Sequence, residues 1–250
     1  MKLNGNTILI TGGGSGIGRA LAERFHALGN TVIITGRRES ALAATVAGNP
    51  GIHAMTLDVR DPDAITAFAA KVTAAHPALN VVVNNAGIMV REDLTDPGHL
   101  ATSDATIATN LAGPIRLNAA LLGHLRARER GAILNVSSGL ASIPLAPFPT
   151  YCATKAAIHS YSQSLSRQLR GTSVQVIEIV PPYVQTELTG ADQAADPRAM
   201  PLADYIAETF QLLEANPDAG EILVERVKML RFAEVRGEYE TTFGHLNDAF

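Results

Sequence analysis

Tyr151 and Lys155 stand four residues apart, a spacing that on a helix sets both side chains on one face, a turn from each other. A phenol titrating near pH 10 exchanges protons poorly around neutrality. A neighbouring ammonium favours the phenolate and is expected to lower that pKa, each unit being worth about 1.4 kcal/mol. Ser138, thirteen positions before Tyr151, can offer a hydroxyl that holds a substrate oxygen beside the phenol. Proton transfer and oxyanion stabilisation would then converge on one oxygen, as differential transition-state binding requires. A tyrosine and lysine at this spacing recur in many proteins, so the reading depends on what positions them.

The surrounding chain alternates short apolar runs with helical patterns. Thr7–Thr11, Thr31–Thr35, Ile52–Leu57, Leu79–Val83, Ala132–Val136 and Val174–Val180 read as strands, the first two as apolar runs of the sort buried in a parallel sheet. Between them, Arg19–Leu28, Glu39–Val46, Pro62–Ala75, Asp104–Arg128 and Tyr151–Leu169 read as helices, with Gly113-Pro114 interrupting or bending the fourth. Alternation of this kind implies an α/β fold, a doubly wound parallel sheet with helices on both faces. Ligands of such sheets lie at the carboxyl ends of the strands. After Pro181-Pro182, residues 183–203 are rich in Gly, Ala, Asp and Pro without a period, the pattern of a lid over a site. Residues 202–250 read as a helical C-terminal extension, with helices over Leu202–Glu214 and Asp218–Glu234. No linker divides residues 1–250, so one domain is expected.

The first strand runs into Gly12, Gly14, Ser15, Gly16, Ile17 and Gly18, and a helix opens there. Glycines in that context allow a tight turn and let the backbone approach a pyrophosphate resting on the helix N-terminus. At the end of the second strand, a protein preferring NAD would present an acidic residue to the ribose hydroxyls. Gly36 stands there instead, followed by Arg37 and Arg38, which can clamp a 2′-phosphate. NADP(H) is therefore the expected cofactor, with NAD(H) bound more weakly. The alternative is that the two arginines merely open a solvated helix.

Taken together, Thr11-Gly12-x-x-x-Gly16-Ile-Gly18, Asp58-Val59, Asn84-Asn85-Ala86-Gly87, Asn110, Ser138 and Tyr151-x-x-x-Lys155 resemble the short-chain dehydrogenase/reductase family over roughly residues 5 to 190. The resemblance implies a Rossmann-type sheet, a nicotinamide cofactor and hydride transfer to or from a carbonyl or alcohol carbon. It assigns catalysis to Asn110, Ser138, Tyr151 and Lys155, Asn110 bending its helix and joining Lys155 to a proton relay through a water. Tyr151 and Lys155 would also touch the nicotinamide ribose. Asp58 and Val59 would meet the adenine, while Asn84, Ala86 and Gly87 would lie against the adenosine ribose, Asn84 partly as a brace of the sheet. Pro181, Val184 and Thr186 would contact the nicotinamide and phosphates. The chain departs from the family at Pro182, where a glycine is usual and proline fixes φ near −65°. It departs again at its end, where the usual hydrophobic-Asp-Gly-Gly signature is missing, so the seventh strand is expected to be lacking or altered. With that strand in doubt, a homo-oligomer is expected as a dimer in preference to a tetramer, through the helices at 104–128 and 151–169.

Leu140, Ile143, Leu145, Phe148, Tyr183 and Leu188 are expected to wall a pocket for a small hydrophobic carbonyl or alcohol. A 3-oxoacyl thioester is the alternative substrate, and a non-catalytic nucleotide-binding regulator on the same fold the alternative class. Bulk properties narrow the rest. A chain of 250 residues, 46% hydrophobic and 18% charged, can bury a large core, and its net charge of −4 without a long basic run argues against nucleic acid or anionic membrane as partner. The histidines show no metal-ligand spacing. No apolar run reaches a membrane span, the N-terminus does not read as a signal peptide, and a lone Cys152 suits a reducing cytoplasm.

Overall fold

The computed structural model describes residues 1–250. In chain order its elements are β1 (Thr7–Thr11), α1 (Gly16–Ala27), β2 (Thr31–Gly36), α2 (Glu39–Gly48), β3 (His53–Thr56), α3 (Pro62–Ala75), β4 (Leu79–Asn84), α4 (Leu100–Ile107), α5 (Gly113–Arg126), β5 (Gly131–Val136), α6 (Pro149–Gln168), β6 (Val174–Val180), α7 (Ala191–Ala195), α8 (Leu202–Ala215), β7 (Glu221–Leu223), α9 (Lys228–Arg231) and α10 (Tyr239–Asp248). The strands form one parallel sheet in the order β3-β2-β1-β4-β5-β6-β7, so strand order reverses between β1 and β4, and a crevice opens there.

Side chains alternate across the strands, and both faces of the sheet are covered except at the exposed edge strand β3. Ile8 and Ile10 pack with Leu21 and Phe25 of α1 and Tyr205 and Phe210 of α8. Leu9, between them, faces the opposite layer with Phe68 of α3, Leu117 and Leu121 of α5 and Leu165 of α6. Phe25 meets Phe210 edge to face at 4.7 Å. This double burial is why the strands read as continuous apolar runs.

One row of the sheet breaks that rule. Asn84, Asn135, Glu178 and Glu221 stand side by side across β4, β5, β6 and β7. Asn84 donates to Asn135 Oδ1 and to Asn118 Oδ1 of α5, each at 2.8 Å, and Asn135 donates to Ser162 Oγ of α6 at 2.9 Å. These partners satisfy most of the polar atoms that burial would otherwise penalise.

Two expectations are corrected. The segment read as a helix over Asp218–Glu234 supplies a seventh strand instead, followed by a 3-10 turn at Glu225–Val227 and the short α9. The strand is only three residues long, and Ile222 is buried against the core. The free edge of β6 provides its partner, a non-local influence that a run of mixed periodicity does not announce. The helix expected over Asp104–Arg128 begins earlier, at Leu100, and its expected interruption near Gly113-Pro114 is a π-helical turn at Ala108–Ala112 that joins α4 to α5. Pro114 has no N–H to donate to the Asn110 carbonyl, so the regular ladder cannot run through and the turn widens.

Asp61 caps α3, its carboxylate accepting from Asp63 N at 2.9 Å and Ala64 N at 3.0 Å, with Pro62 at the first helical position. Replacing it by alanine should cost about 1 kcal/mol. The melting temperature should fall by roughly 2–4 °C for a chain of this size, read by thermal unfolding at neutral pH.

Candidate active site

The ends of β1 and β4 are stitched together where the crevice begins. Thr11 Oγ1 accepts from Asn85 N and Ala86 N at 3.0 Å each, and Asn85 Nδ2 donates to Thr11 O at 3.0 Å. The glycine turn packs directly on this junction. Gly12 has φ +71°, and a Cβ on Gly18 would stand 2.3 Å from both Asn85 Nδ2 and Gly12 O, so a side chain at Gly18 would force the turn and α1 apart.

From this turn a cleft of about 1130 Å³ runs to the start of α6. Gly12, Gly14, Ser15, Gly16, Ile17, Gly18, Arg37, Arg38, Asp58, Val59, Ala86, Gly87, Ser138, Tyr151, Lys155, Pro181, Val184 and Thr186 all line it. The first turn of α1 has no side-chain cap, which leaves its N–H groups for an anion. Arg37 and Arg38 are exposed beside it, Arg38 donating to Ser15 Oγ at 3.3 Å. Asp58 is held by Arg60, whose Nη2 lies 2.6 Å from its carboxylate and whose hydrogen bond keeps that carboxyl below its ordinary pKa. The donor set fits a dinucleotide phosphate cradle with a basic pair, Arg37 and Arg38, just after β2.

Ser138 follows β5 and accepts from Leu140 N at 3.1 Å, which turns the chain out of the sheet. Tyr151 lies in the first turn of α6, the start of which is anchored by the largely buried Glu92. Its carboxylate accepts from Thr150 N at 3.1 Å, Thr150 Oγ1 at 3.0 Å and Ser103 Oγ at 2.6 Å. Glu92 therefore positions the helix and is occupied by protein groups rather than facing a ligand. Lys155 donates to Val136 O at 2.8 Å, with Nζ 5.5 Å from the Tyr151 ring centroid.

The electrostatics correct the expected phenol. Burial pushes the Tyr151 pKa above its ordinary value, and a hydrogen bond with Ser138 only partly opposes this. Burial also lowers Lys155 to about 8, with the charge of Glu178 resisting the drop. Desolvation thus dominates the phenol in the free chain.

Three other residues are placed differently from expectation. Asn84 turns into the sheet's polar row, and its neighbour Asn85 lines the cleft instead. Asn110 stands behind the cleft in the π turn, its Oδ1 accepting from Ile88 N and its Nδ2 donating to Ile88 O, both at 2.9 Å. It fixes the β4–α4 loop from within that turn. Ile143 is fully buried and forms no part of the wall. Leu140, Leu145, Phe148, Tyr183 and Leu188 do line the cleft, joined by Met89.

The roof comes from segments with no chemical motif. Val184 pairs with Met200 in an isolated bridge, and Gln193 of α7 donates to Val184 O at 2.9 Å and Thr186 Oγ1 at 3.1 Å. No residue other than glycine has positive φ, so Pro182 is accommodated without strain. Leu246, Ala249 and Phe250 complete the wall. Asn247 accepts from Ala146 N at 2.7 Å and donates to Pro144 O at 3.2 Å, while Phe250 packs under Arg198 and edge-on to Tyr183. Only the apolar residues scattered through 243–250 hinted at this role.

A parallel sheet carrying such a cleft across its reversal point is the architecture of dinucleotide-binding α/β proteins. The model of the short chain dehydrogenase family matches residues 6–197, and the chain belongs to that family of oxidoreductases. It is 41% identical to an uncharacterized oxidoreductase, DltE, of Bacillus subtilis, over 99% of this chain and 98% of the other. It is 37% identical to the NADP-dependent 3-hydroxy acid dehydrogenase YdfG of Salmonella typhi, covering 71% and 72% of the two chains. The crystal structure of a short-chain dehydrogenase from Streptomyces avermitilis superposes with a TM-score of 0.82 at 28% identity, covering 98% of each chain.

A lysine whose folded-state pKa lies below its unfolded value burdens the fold while it is charged, and the burden lifts as pH rises from about 8 toward 10.5. The wild type should therefore gain stability relative to Lys155→Met as pH rises from 7 to 10, as parallel thermal melts would show.

Proposed function

We propose that the protein is an NADP(H)-dependent carbonyl reductase, reversible as an alcohol dehydrogenase, acting on a small hydrophobic ketone or aldehyde. The observation that carries this reading is the cleft itself, which joins Ser138, Tyr151 and Lys155 at one end to the glycine turn and Arg37-Arg38 at the other. When bound, the nicotinamide supplies or accepts the hydride. Gly12 to Gly18 and the α1 N-terminus hold the pyrophosphate, and Arg37 and Arg38 hold the 2′-phosphate. Asp58 and Val59 meet the adenine, and Ala86 and Gly87 the ribose. The nicotinamide side falls to Pro181, Thr186 and Val184, whose carbonyl is already taken by Gln193.

Ser138 and Tyr151 hydrogen-bond the substrate oxygen. A phenol whose pKa burial has raised keeps its proton until negative charge develops on that oxygen, then releases it beside the Lys155 ammonium. Lys155 also binds the nicotinamide ribose, and Asn110 holds the loop behind it. Residues 183–203 act as a lid. The name of the YdfG relative supports NADP and a small oxygenated substrate. Leu100, Ile107 and Ile115 expose apolar surface along α4 and α5, which supports a dimer through that face. No helix is long and apolar enough to cross a membrane, and a cytoplasmic location suits the single buried cysteine.

Absorbance loss of NADPH across a panel of ketones and aldehydes tests the reaction. Tyr151→Phe should lower kcat by at least about 10²-fold, and undiminished turnover would overturn the mechanism. Arg37→Ala with Arg38→Ala should raise the KM for NADPH by about ten- to a hundredfold, leaving that for NADH nearly unchanged. A separate pair of assays addresses the roof. Asn247→Ala should raise the carbonyl KM several-fold while the NADPH dissociation constant, read by fluorescence titration, stays put.

A further inference from the structure

Glu178 is a carboxylate in the middle of the sheet, 3% exposed, on the row that also holds Asn84, Asn135 and Glu221. His159 Nδ1 lies 2.7 Å from its Oε2, while its Oε1 has no hydrogen-bond partner in the protein. An ionised carboxylate so placed needs nearby positive charge to be tolerated. Lys155 and His159 come from one face of α6, one helical turn apart, and His159 meets the carboxylate directly. Lys155 donates to the carbonyl of Val136, whose register partner on β6 is Ile179, the residue after Glu178. At the outer end of the row Arg231 Nε holds Glu221 at 2.7 Å. His159, Glu178 and Glu221 bring ligand atoms within 4.8 Å of one another, but the Arg231 guanidinium already neutralises Glu221, and no metal site is inferred.

We propose that Glu178, held in place by His159, is a positioning residue that keeps Lys155 in its ammonium form. The need follows from burial. Lys155 is 5% exposed and reaches one backbone carbonyl, and a desolvated amine surrenders its proton readily. The groups facing it are few. Tyr151 contributes a neutral phenol from α6, and Glu178 is the anion that opposes the loss. Behind Glu178 stand His159 on α6, Glu221 on β7 and Arg231 on α9, the last two forming their own pair. His159 is a quarter exposed and ties the carboxylate to the helix that carries Lys155, so anion and ammonium keep a fixed separation. The catalytic consequence rests on the reductase reading above, whereas the charge state of Lys155 does not.

The test uses the full chain labelled with [15N]lysine. It has four lysines, at 2, 71, 155 and 228, of which Lys155 alone is buried, so its side-chain resonance is separable. In the wild type its titration midpoint should lie near 8. Glu178→Gln should lower that midpoint by about one unit or more, and Glu178→Asp should restore most of the shift. The alkaline limb of the pH profile for NADPH-dependent carbonyl reduction should move by the same amount and in the same direction. An unchanged Lys155 midpoint in Glu178→Gln would overturn the proposal. So would a glutamate 13Cδ titration of the wild type showing Glu178 protonated at pH 7, a measurement that stands even if the glutamine variant does not fold. A shifted midpoint in a protein that turns over no carbonyl would sustain this inference and defeat the reductase reading instead.

Discussion

An ammonium group withdrawn from water is costly to hold, and much of this molecule's architecture makes it tolerable. Lys155 lies on a helix whose start is tied down by Glu92, reaches a single carbonyl at the end of β5, and shares its face with His159. Burial penalises the charged form by several kcal/mol unless compensating charge and hydrogen bonds are close by. Glu178 supplies the charge, and the polar row across β4 to β7 gives that carboxylate a place in an otherwise apolar sheet. The proposed reaction asks for a lysine dry enough to act on the phenol and charged enough to matter. The sheet settles that conflict from beneath the site.

The same sheet builds the other end of the cleft with opposite means. Between β1 and β4 there is almost no side-chain volume. Gly18 packs on Gly12 and Asn85, and Thr11 knits the two strand ends together. A backbone surface of this kind presents N–H donors to phosphate without flexible groups in the way. One end of the cleft thus works through absent side chains, the other through three that are closely surrounded. The roof joins them from residues 184–200 and from α10, held by Gln193 and Asn247 rather than by chemistry-bearing groups.

Most of the cleft could be read along the chain because each part is local. The glycine turn, Arg37-Arg38, Asp58-Val59 and the Tyr151–Lys155 spacing each sit at the end of an apolar strand or on one turn of helix, and every one of them lines the cleft. The misplacements share a different cause. Asn84 and Asn85 are adjacent, and which of them faces the ligand depends on the pleat of β4 against β5. Ile143 and Leu145 are equally apolar, yet only the second reaches the cleft, because the loop path decides which is enclosed. The seventh strand exists because β6 had an unpaired edge, not because residues 221–223 prefer to be extended.

The amino-acid sequence by itself determined the order of the first six strands and the helices between them, the glycine turn and the chemistry available to Ser138, Tyr151 and Lys155. These follow from periodicity, backbone preferences and short spacings, all properties of neighbouring residues. Tertiary structure alone decided the protonation of that chemistry. Burial raised the phenol and lowered the lysine, and the anion that restrains the lysine comes from a strand more than twenty residues away in the chain. Solvent exclusion and the meeting of distant charges are properties of the packed assembly, and no segment carries them before the sheet has closed over Lys155.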